Sequence, residues 1–280
     1  MNVAVAFVVG FVIVRVVAAA GREFLAADAL QRRNYRDRLV PTGGGILLAV
    51  ALVVIEGGRV VLGAFDVGNE TGPTQARALV LIAVLGFALL GFIDDVAVHQ
   101  PAQGFRGHGR ALLRGKLTTG GLKLAAGGLL ALVVVAPVAA GDLDRLVLDG
   151  LLVALAANLG NLFDRVPGRL IKASFLAWAP LAAVSGSDAV GVALAPMMGA
   201  VAGFFPDDLR ERIMLGDAGA NALGAALGVG AVLTMSPGGR TVTVIVLTGF
   251  NLLAEVFSFS RFIARVPPLR ALDEWGRGKS

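Results

Sequence analysis

Apolar runs dominate the chain, and short polar or glycine-rich clusters break them at nearly regular intervals. About 20 mostly apolar residues make a helix long enough to cross a hydrocarbon core. On that measure the pattern predicts nine spans, at 2–20, 43–64, 76–94, 119–140, 145–163, 171–186, 188–206, 218–236 and 241–261. The second is interrupted by Glu56-Gly57-Gly58-Arg59, the sixth is short, and Ser185-Gly186-Ser187-Asp188 marks the boundary between the sixth and seventh. The first run contains Arg15 and has no basic stretch ahead of it, so it reads as a retained span rather than a cleaved signal. The expectation is an all-α, polytopic integral membrane protein. Residues 1–280 form a single membrane-embedded domain without an internal repeat, and 262–280 a basic cytoplasmic tail.

Composition agrees with this pattern. With 56% hydrophobic and only 16% charged residues and a mean hydropathy of +0.78, the bilayer must act as solvent for most of the chain. There is no Cys, which excludes disulfides and thiolate metal sites, and His99 and His108 are the only histidines, which argues against a multi-histidine centre. The 38 glycines suit closely packed spans and are compatible with a homodimer.

Charge orients the spans. Most of the 25 Lys and Arg fall in alternate loops: Arg22 to Arg38, Arg106 to Lys116, Arg165 to Lys172, Arg210 with Arg212, and the tail from Arg261 to Lys279. The opposite loops hold only Arg59, Arg77, Arg145 and Arg240. Basic loops stay in the cytoplasm, which places the N-terminus outside and the C-terminus inside. Only an odd number of spans gives that arrangement.

All the unusual polar motifs fall at the basic ends. Pro41-Thr42-Gly43-Gly44-Gly45 opens span two, Gly91-Phe92-Ile93-Asp94-Asp95 closes span three, and Met214-Leu215-Gly216-Asp217-Ala218-Gly219 opens span eight. The richest stretch closes span five: Asn158, Asn161 and Asp164 recur on one helical face, and Arg165 and Arg169 flank Pro167-Gly168, which ends the helix. Polar groups where a span leaves the bilayer are costly unless used. A transporter would place them nearer the midplane.

Four carboxylates (Asp94, Asp95, Asp164, Asp217) beside two amides, with no His or Cys, suit a hard cation, Mg²⁺ or Mn²⁺. Arginines and glycine-rich backbone suit phosphate oxygens. Together, at a lipid–water boundary, they imply phosphoryl transfer between a soluble and a lipid substrate. Each piece also has a local reading. Asp94-Asp95 is a plain helix end, Asp217 an N-cap, and Pro41 to Gly45 a turn. Lys123 snorkels to the interface, Glu255 pairs with another buried group, and His99 and His108 are solvated loop residues.

The order Pro-Thr-x-Gly-Gly, Ile-Asp-Asp, Asn-x-x-Asn-Leu-x-Asp and Leu-Gly-Asp-x-Gly, from about Arg38 to Arg265, resembles the polyprenyl-phosphate N-acetylhexosamine-1-phosphate transferases (MraY/WecA type). The resemblance implies transfer of a sugar-1-phosphate from a UDP-sugar to an undecaprenyl-type phosphate, with Mg²⁺ and release of UMP, in cell-envelope glycan synthesis. By the same resemblance Asp94, Asp95 and Asp164 are catalytic, and Asp217 with Asp164 binds metal. Thr42, Gly44, Lys116, Lys123, Asn158, Asn161, Arg165 and Arg169 bind substrate.

The chain departs from that pattern in two places. Where the family continues with Gly-x-Asp-Gly, it reads Arg165-Val166-Pro167-Gly168, and the tail from Arg261 to Ser280 carries no His. Arg165, Arg169, Arg261, Arg265 and Arg270 are candidate pyrophosphate clamps in compensation. A decayed relative that binds lipid phosphate or an envelope-assembly partner without turnover is the competing reading, and a small transporter is the third. No feature points to nucleic acid.

Overall fold

The computed structural model describes residues 2–67, 74–97 and 119–277. It is helical except for one short hairpin. The helices are α1 (Val3–Ala20), α2 (Arg22–Leu25), α3 (Ile46–Gly63), α4 (Gln75–Val96), α5 (Thr119–Val135), α6 (Leu143–Phe163), α7 (Arg169–Ser185), α8 (Ala189–Leu209), α9 (Gly216–Thr234), α10 (Pro237–Val256), α11 (Phe259–Arg265) and α12 (Pro267–Glu274). Strands β1 (Gln31–Arg33) and β2 (Leu39–Pro41) pair antiparallel between α2 and α3, with Arg32 opposite Val40.

Each expected span coincides with one of these helices. Among the described residues seven are long and apolar enough to cross a membrane, while α5 and α7, at 17 residues each, fall just short of that length. The chain is thus an all-α polytopic membrane protein. Two doubtful boundaries have a physical answer. Helix α3 runs unbroken through Glu56 to Arg59, because Glu56 is buried and receives both Arg77 of α4, at 2.5 Å, and Arg59. Helix α7 stops at Gly186, whose φ of 51° few other residues adopt, and Asp188 caps α8 by accepting from the amides of Val190 and Gly191.

Helix α9 is the axis of the bundle. Its sequence is mostly Gly, Ala and Leu, and most of its length is buried. Small side chains let α4 and α6 approach it closely; a Cβ on Gly91 of α4 would lie 2.2 Å from the carbonyl oxygen of Asp217. Helix α1 packs along α8, whereas α10 lies at the edge of the bundle against α6, with only Arg240 and Asn251 buried. Its Glu255, expected to pair with a buried group, is exposed in the last turn. The tail is helical rather than extended: α11 and α12 fold back beneath α7.

Candidate functional site

The start of α3, the ends of α4 and α6 and the start of α9 meet at the end of the bundle that carries the basic loops. Between them lies a cleft of about 560 Å³, lined by Arg32, Arg33, Thr42, Asp94, Asp95, Asp164, Met214, Gly216 and Asp217. All four carboxylates singled out in the sequence therefore line one space, although 123 positions separate Asp94 from Asp217.

Asp95 sits deepest, 7% exposed. Its carboxylate accepts from the backbone amides of Asp217 (3.1 Å) and Ala218 (2.9 Å), and from the Thr42 hydroxyl at 3.2 Å. The first-turn amides of a helix have no partner within it. Asp95 thus caps α9 from another helix, and the charge-assisted bonds stabilise the junction by about 1.5–3 kcal/mol each. Asp217, expected as an N-cap, is a first-turn residue instead; Leu215 holds the cap position without a side-chain bond. Gly216 is fixed by shape. Its φ is 69°, and a Cβ there would lie 2.7 Å from the Asp95 carboxylate, the Thr42 hydroxyl and the Gly43 amide.

Asp164 ends α6 with a non-helical ψ of 58° and faces Asp217 across the cleft. Its carboxyl is pushed well above the ordinary carboxylate value, first by burial and then by the charges of Asp208, Asp217 and Asp95, against the lowering pull of the Gly216 amide. Such crowding calls for a cation. The donor atoms are all oxygens, which fits Mg²⁺ or Mn²⁺. Among the described residues no three His, Cys, Asp or Glu side chains form a metal cage. Asp164 and Asp217 are the pair that would hold such an ion, with its other ligands from outside the protein.

Not every expected residue reaches the cleft. Asn161 does, donating to Asp217 at 3.1 Å. Asn158 does not share that face. It donates to Asn251 of α10 at 2.6 Å, and Asn251 donates in turn to the carbonyls of Leu155 and Leu247, a polar clasp within the spans. The Gly44 and Gly45 amides, expected to be open to phosphate, already donate to the carbonyls of Met214 and Leu215, and Gly44 is buried against Ile213 and Phe204 rather than lining the cleft. Arg165 is exposed just beyond the cleft.

Arg169 is not a free clamp. It is 7% exposed, grips Asp273 of α12 through two bonds (2.8 and 2.9 Å) and reaches Ser260 of α11 at 2.8 Å. The helix before it ends at Phe163, four residues ahead of the Pro167-Gly168 stop read from the sequence. Lys116, His99 and His108 lie outside the described residues, as does the side chain of Lys123, which falls in the first turns of α5.

Three contributors were missed. Arg32 and Arg33 of β1 line the cleft, and Arg32 donates to the Asp95 carbonyl at 2.9 Å. Their sequence signal was only charge in a loop. Asp208, 5% exposed at the end of α8, accepts from the Gly168 amide at 2.7 Å and is also bonded by the Leu215 amide. One carboxylate thereby ties the loop after Asp164 to the loop before Asp217. Nothing in its local sequence, Pro206-Asp207-Asp208-Leu209, announces that role.

No protein-family model matches the sequence. Individual relatives do. The chain is 30% identical over 275 residues to the phospho-N-acetylmuramoyl-pentapeptide-transferase of Desulforamulus reducens, an alignment covering 85% of this chain and 76% of that protein. It is 31% identical over 227 residues to the enzyme of the same name from Desulforudis audaxviator, covering 73% of this chain and 65% of the relative. The namesake from Carboxydothermus hydrogenoformans is 31% identical over 248 residues, covering 81% and 70%.

Proposed function

The chain belongs to the phospho-N-acetylmuramoyl-pentapeptide-transferase family, and from that premise we propose that it transfers a sugar-1-phosphate from a UDP-N-acetylhexosamine-type donor to a polyprenyl phosphate. The reaction releases UMP and serves cell-envelope glycan synthesis, in the peptidoglycan branch that the relatives' name indicates. On this reading the protein sits in the plasma membrane with its cleft facing the cytoplasm, an orientation supported by the basic loops around the cleft. Residues 262–280 then belong to the same membrane domain as its cytoplasmic tail, and the described part, 262–277, is docked on it.

The observation that carries the reading is the convergence of Asp94, Asp95, Asp164 and Asp217 with Arg32 and Arg33 on one cleft. Asp217 and Asp164 would hold Mg²⁺, or Mn²⁺ in its place, which when bound supplies Lewis-acid neutralisation of the donor pyrophosphate. Arg32 and Arg33 orient phosphate oxygens. Asp95 is committed to capping α9, which leaves Asp94 to receive the proton of the acceptor phosphate or to hold that phosphate for in-line attack. An acceptor oxygen bonds to the β-phosphorus, the bond from that phosphorus to the bridging oxygen breaks, and UMP departs. Asn161 keeps Asp217 turned into the cleft.

The test is UMP release by the purified protein with undecaprenyl phosphate, Mg²⁺ and either UDP-N-acetylglucosamine or UDP-N-acetylmuramoyl-pentapeptide. Turnover with one of them is expected. Asp217→Asn and Asp164→Asn should each lower it at least about a hundredfold, roughly 2.7 kcal/mol of transition-state stabilisation. Lipid-phosphate binding without turnover on any donor would overturn the transferase reading in favour of a binding protein.

A further inference from the structure

A second pocket lies at the same end of the bundle and shares no lining residue with the cleft. It measures about 340 Å³ and is bounded by Arg15, Ala18 and Ala19 of α1, Arg22 and Leu25 of α2, Pro41 of β2, Asp207 of α8, and Arg212 with Ile213 of the following loop. Three guanidiniums face it against one carboxylate. Arg15 pairs with Asp207 and donates to the Gly203 carbonyl at 3.1 Å. Arg212 lies 3.4 Å from the other Asp207 oxygen with its side chain 59% exposed, and Arg22 is exposed with no ion pair among the described residues. The pocket therefore keeps an excess of about two positive charges.

Its place in the fold selects the ligand. Arg15 lies five residues before the end of α1, about 7.5 Å along the axis. On the same face, one turn before Arg15, α1 exposes Phe11 and Val12, as a lipid-facing helix does. The arginines thus stand at headgroup depth, beside a wall in contact with acyl chains. The remaining lining is apolar (Ala18, Ala19, Leu25, Pro41, Ile213), which suits the glycerol region of a lipid better than a hydrated ion.

We propose that this pocket binds the phosphodiester headgroup of an anionic membrane phospholipid, gripped by Arg22 and Arg212, with Arg15 as the floor neutralised in part by Asp207. Guanidinium forks match phosphate oxygens and stay charged at the interface. Occupancy has a structural consequence. The amide of Met214 donates to the carbonyl of Pro41 at 2.8 Å, so the wall that the headgroup touches at Pro41 and Ile213 continues directly into Thr42 and Met214 of the cleft. The lipid braces the shared wall from behind.

The experiment is native mass spectrometry of the full chain, delipidated in detergent and titrated with phosphatidylglycerol or phosphatidylcholine. Thermal melting is recorded in parallel, with and without inorganic phosphate as competitor. Phosphatidylglycerol should bind at least fivefold more tightly than phosphatidylcholine and raise Tm. Arg22→Gln/Arg212→Gln should abolish both effects, while Arg38→Gln, an exposed arginine of the hairpin loop, leaves them intact. Arg22→Gln alone, in the first position of a short exposed helix, should weaken binding and serves if the double variant folds poorly. Asp217→Asn should bind phosphatidylglycerol as the parent chain does, which separates this site from the transferase cleft. Equal binding of the two lipids, retained selectivity in the arginine variants, or displacement by inorganic phosphate alone would each overturn the proposal.

Discussion

The paired aspartates at the end of α4 do different work, although they are adjacent in sequence. Asp94 faces the cleft, while Asp95 spends its charge on the first-turn amides of α9 and on Thr42. Asp208 performs a comparable service one layer behind, holding two loops through backbone amides. Replacing it by Ala leaves both amides without an acceptor, a cost of about 1–3 kcal/mol for each. Asp208→Ala should lower kcat at least about tenfold with little change in donor KM, because the loop after Asp164 and the loop before Asp217 lose their common tie. Asp208→Asn keeps one acceptor oxygen and should restore much of the loss. A KM effect equal to the kcat effect, or no rescue by Asn, would show that Asp208 does not position these loops. The aspartates themselves were legible in the sequence, since acids at the ends of apolar runs are conspicuous. Their division of labour was not, because the α9 amides that Asp95 caps lie more than 120 positions away.

At the scale of elements, the tail is the largest change to the sequence picture. It is anchored from two sides. Arg169 and Arg277 converge on Asp273, and the Lys172 ammonium donates to the carbonyls of Leu272, Asp273 and Trp275, capping the C-terminal end of α12. Arg277 also reaches the Pro167 carbonyl at 2.8 Å, so the docked tail lies against the loop that follows Asp164. Burial alone would raise the Asp273 carboxyl, but the bonds and charges of Arg169 and Arg277 outweigh it and hold the group below its ordinary value of 3.8. A carboxyl lower when docked than when released favours docking above the released value, and that preference fades as the pH falls through the docked value. The Asp273 contribution to docking should thus be lost in acid below about pH 4. Fluorescence of Trp275 in a Trp178→Phe background would follow it, and Asp273→Asn should remove the acid transition by loosening the tail at every pH. The elements themselves were nearly all legible, because hydrophobic length decides a span. Tail docking was not, since it depends on a charge match between residues about 100 positions apart.

The whole molecule places its charge unevenly. Within the bundle, ionic groups are paired across helices: Glu56 with Arg77, Asp149 with Arg240 at 2.5 Å, and Arg15 with Asp207. The cleft instead gathers carboxylates, with Asp164 made reluctant to ionise first by burial and then by its neighbours' charges. A cation that binds only the assembled cleft should stabilise the fold by linkage, about 2.7 kcal/mol at a hundred times its dissociation constant. Thermal melting in detergent should therefore show a saturable rise in Tm with Mg²⁺ or Mn²⁺ that is lost in Asp217→Asn. A rise of the same size in that variant would remove Asp217 from the ion's ligands.

By itself the sequence determined the solvent of the chain, the long apolar helices and the end of the bundle at which the polar motifs gather. Those properties follow from hydrophobic length and from the placement of arginines, both local and additive along the chain. Only the tertiary structure decided which polar groups face the cleft and which are consumed by the fold. Asn158, Arg169 and the Gly44 amide fall in the second class; Arg32, Arg33 and Asp208 enter as contributors. The physical reason is that a hydrogen-bonding group is committed by its nearest partner in space. In a bundle organised around α9, that partner comes from another helix, at a distance along the chain that no local pattern encodes.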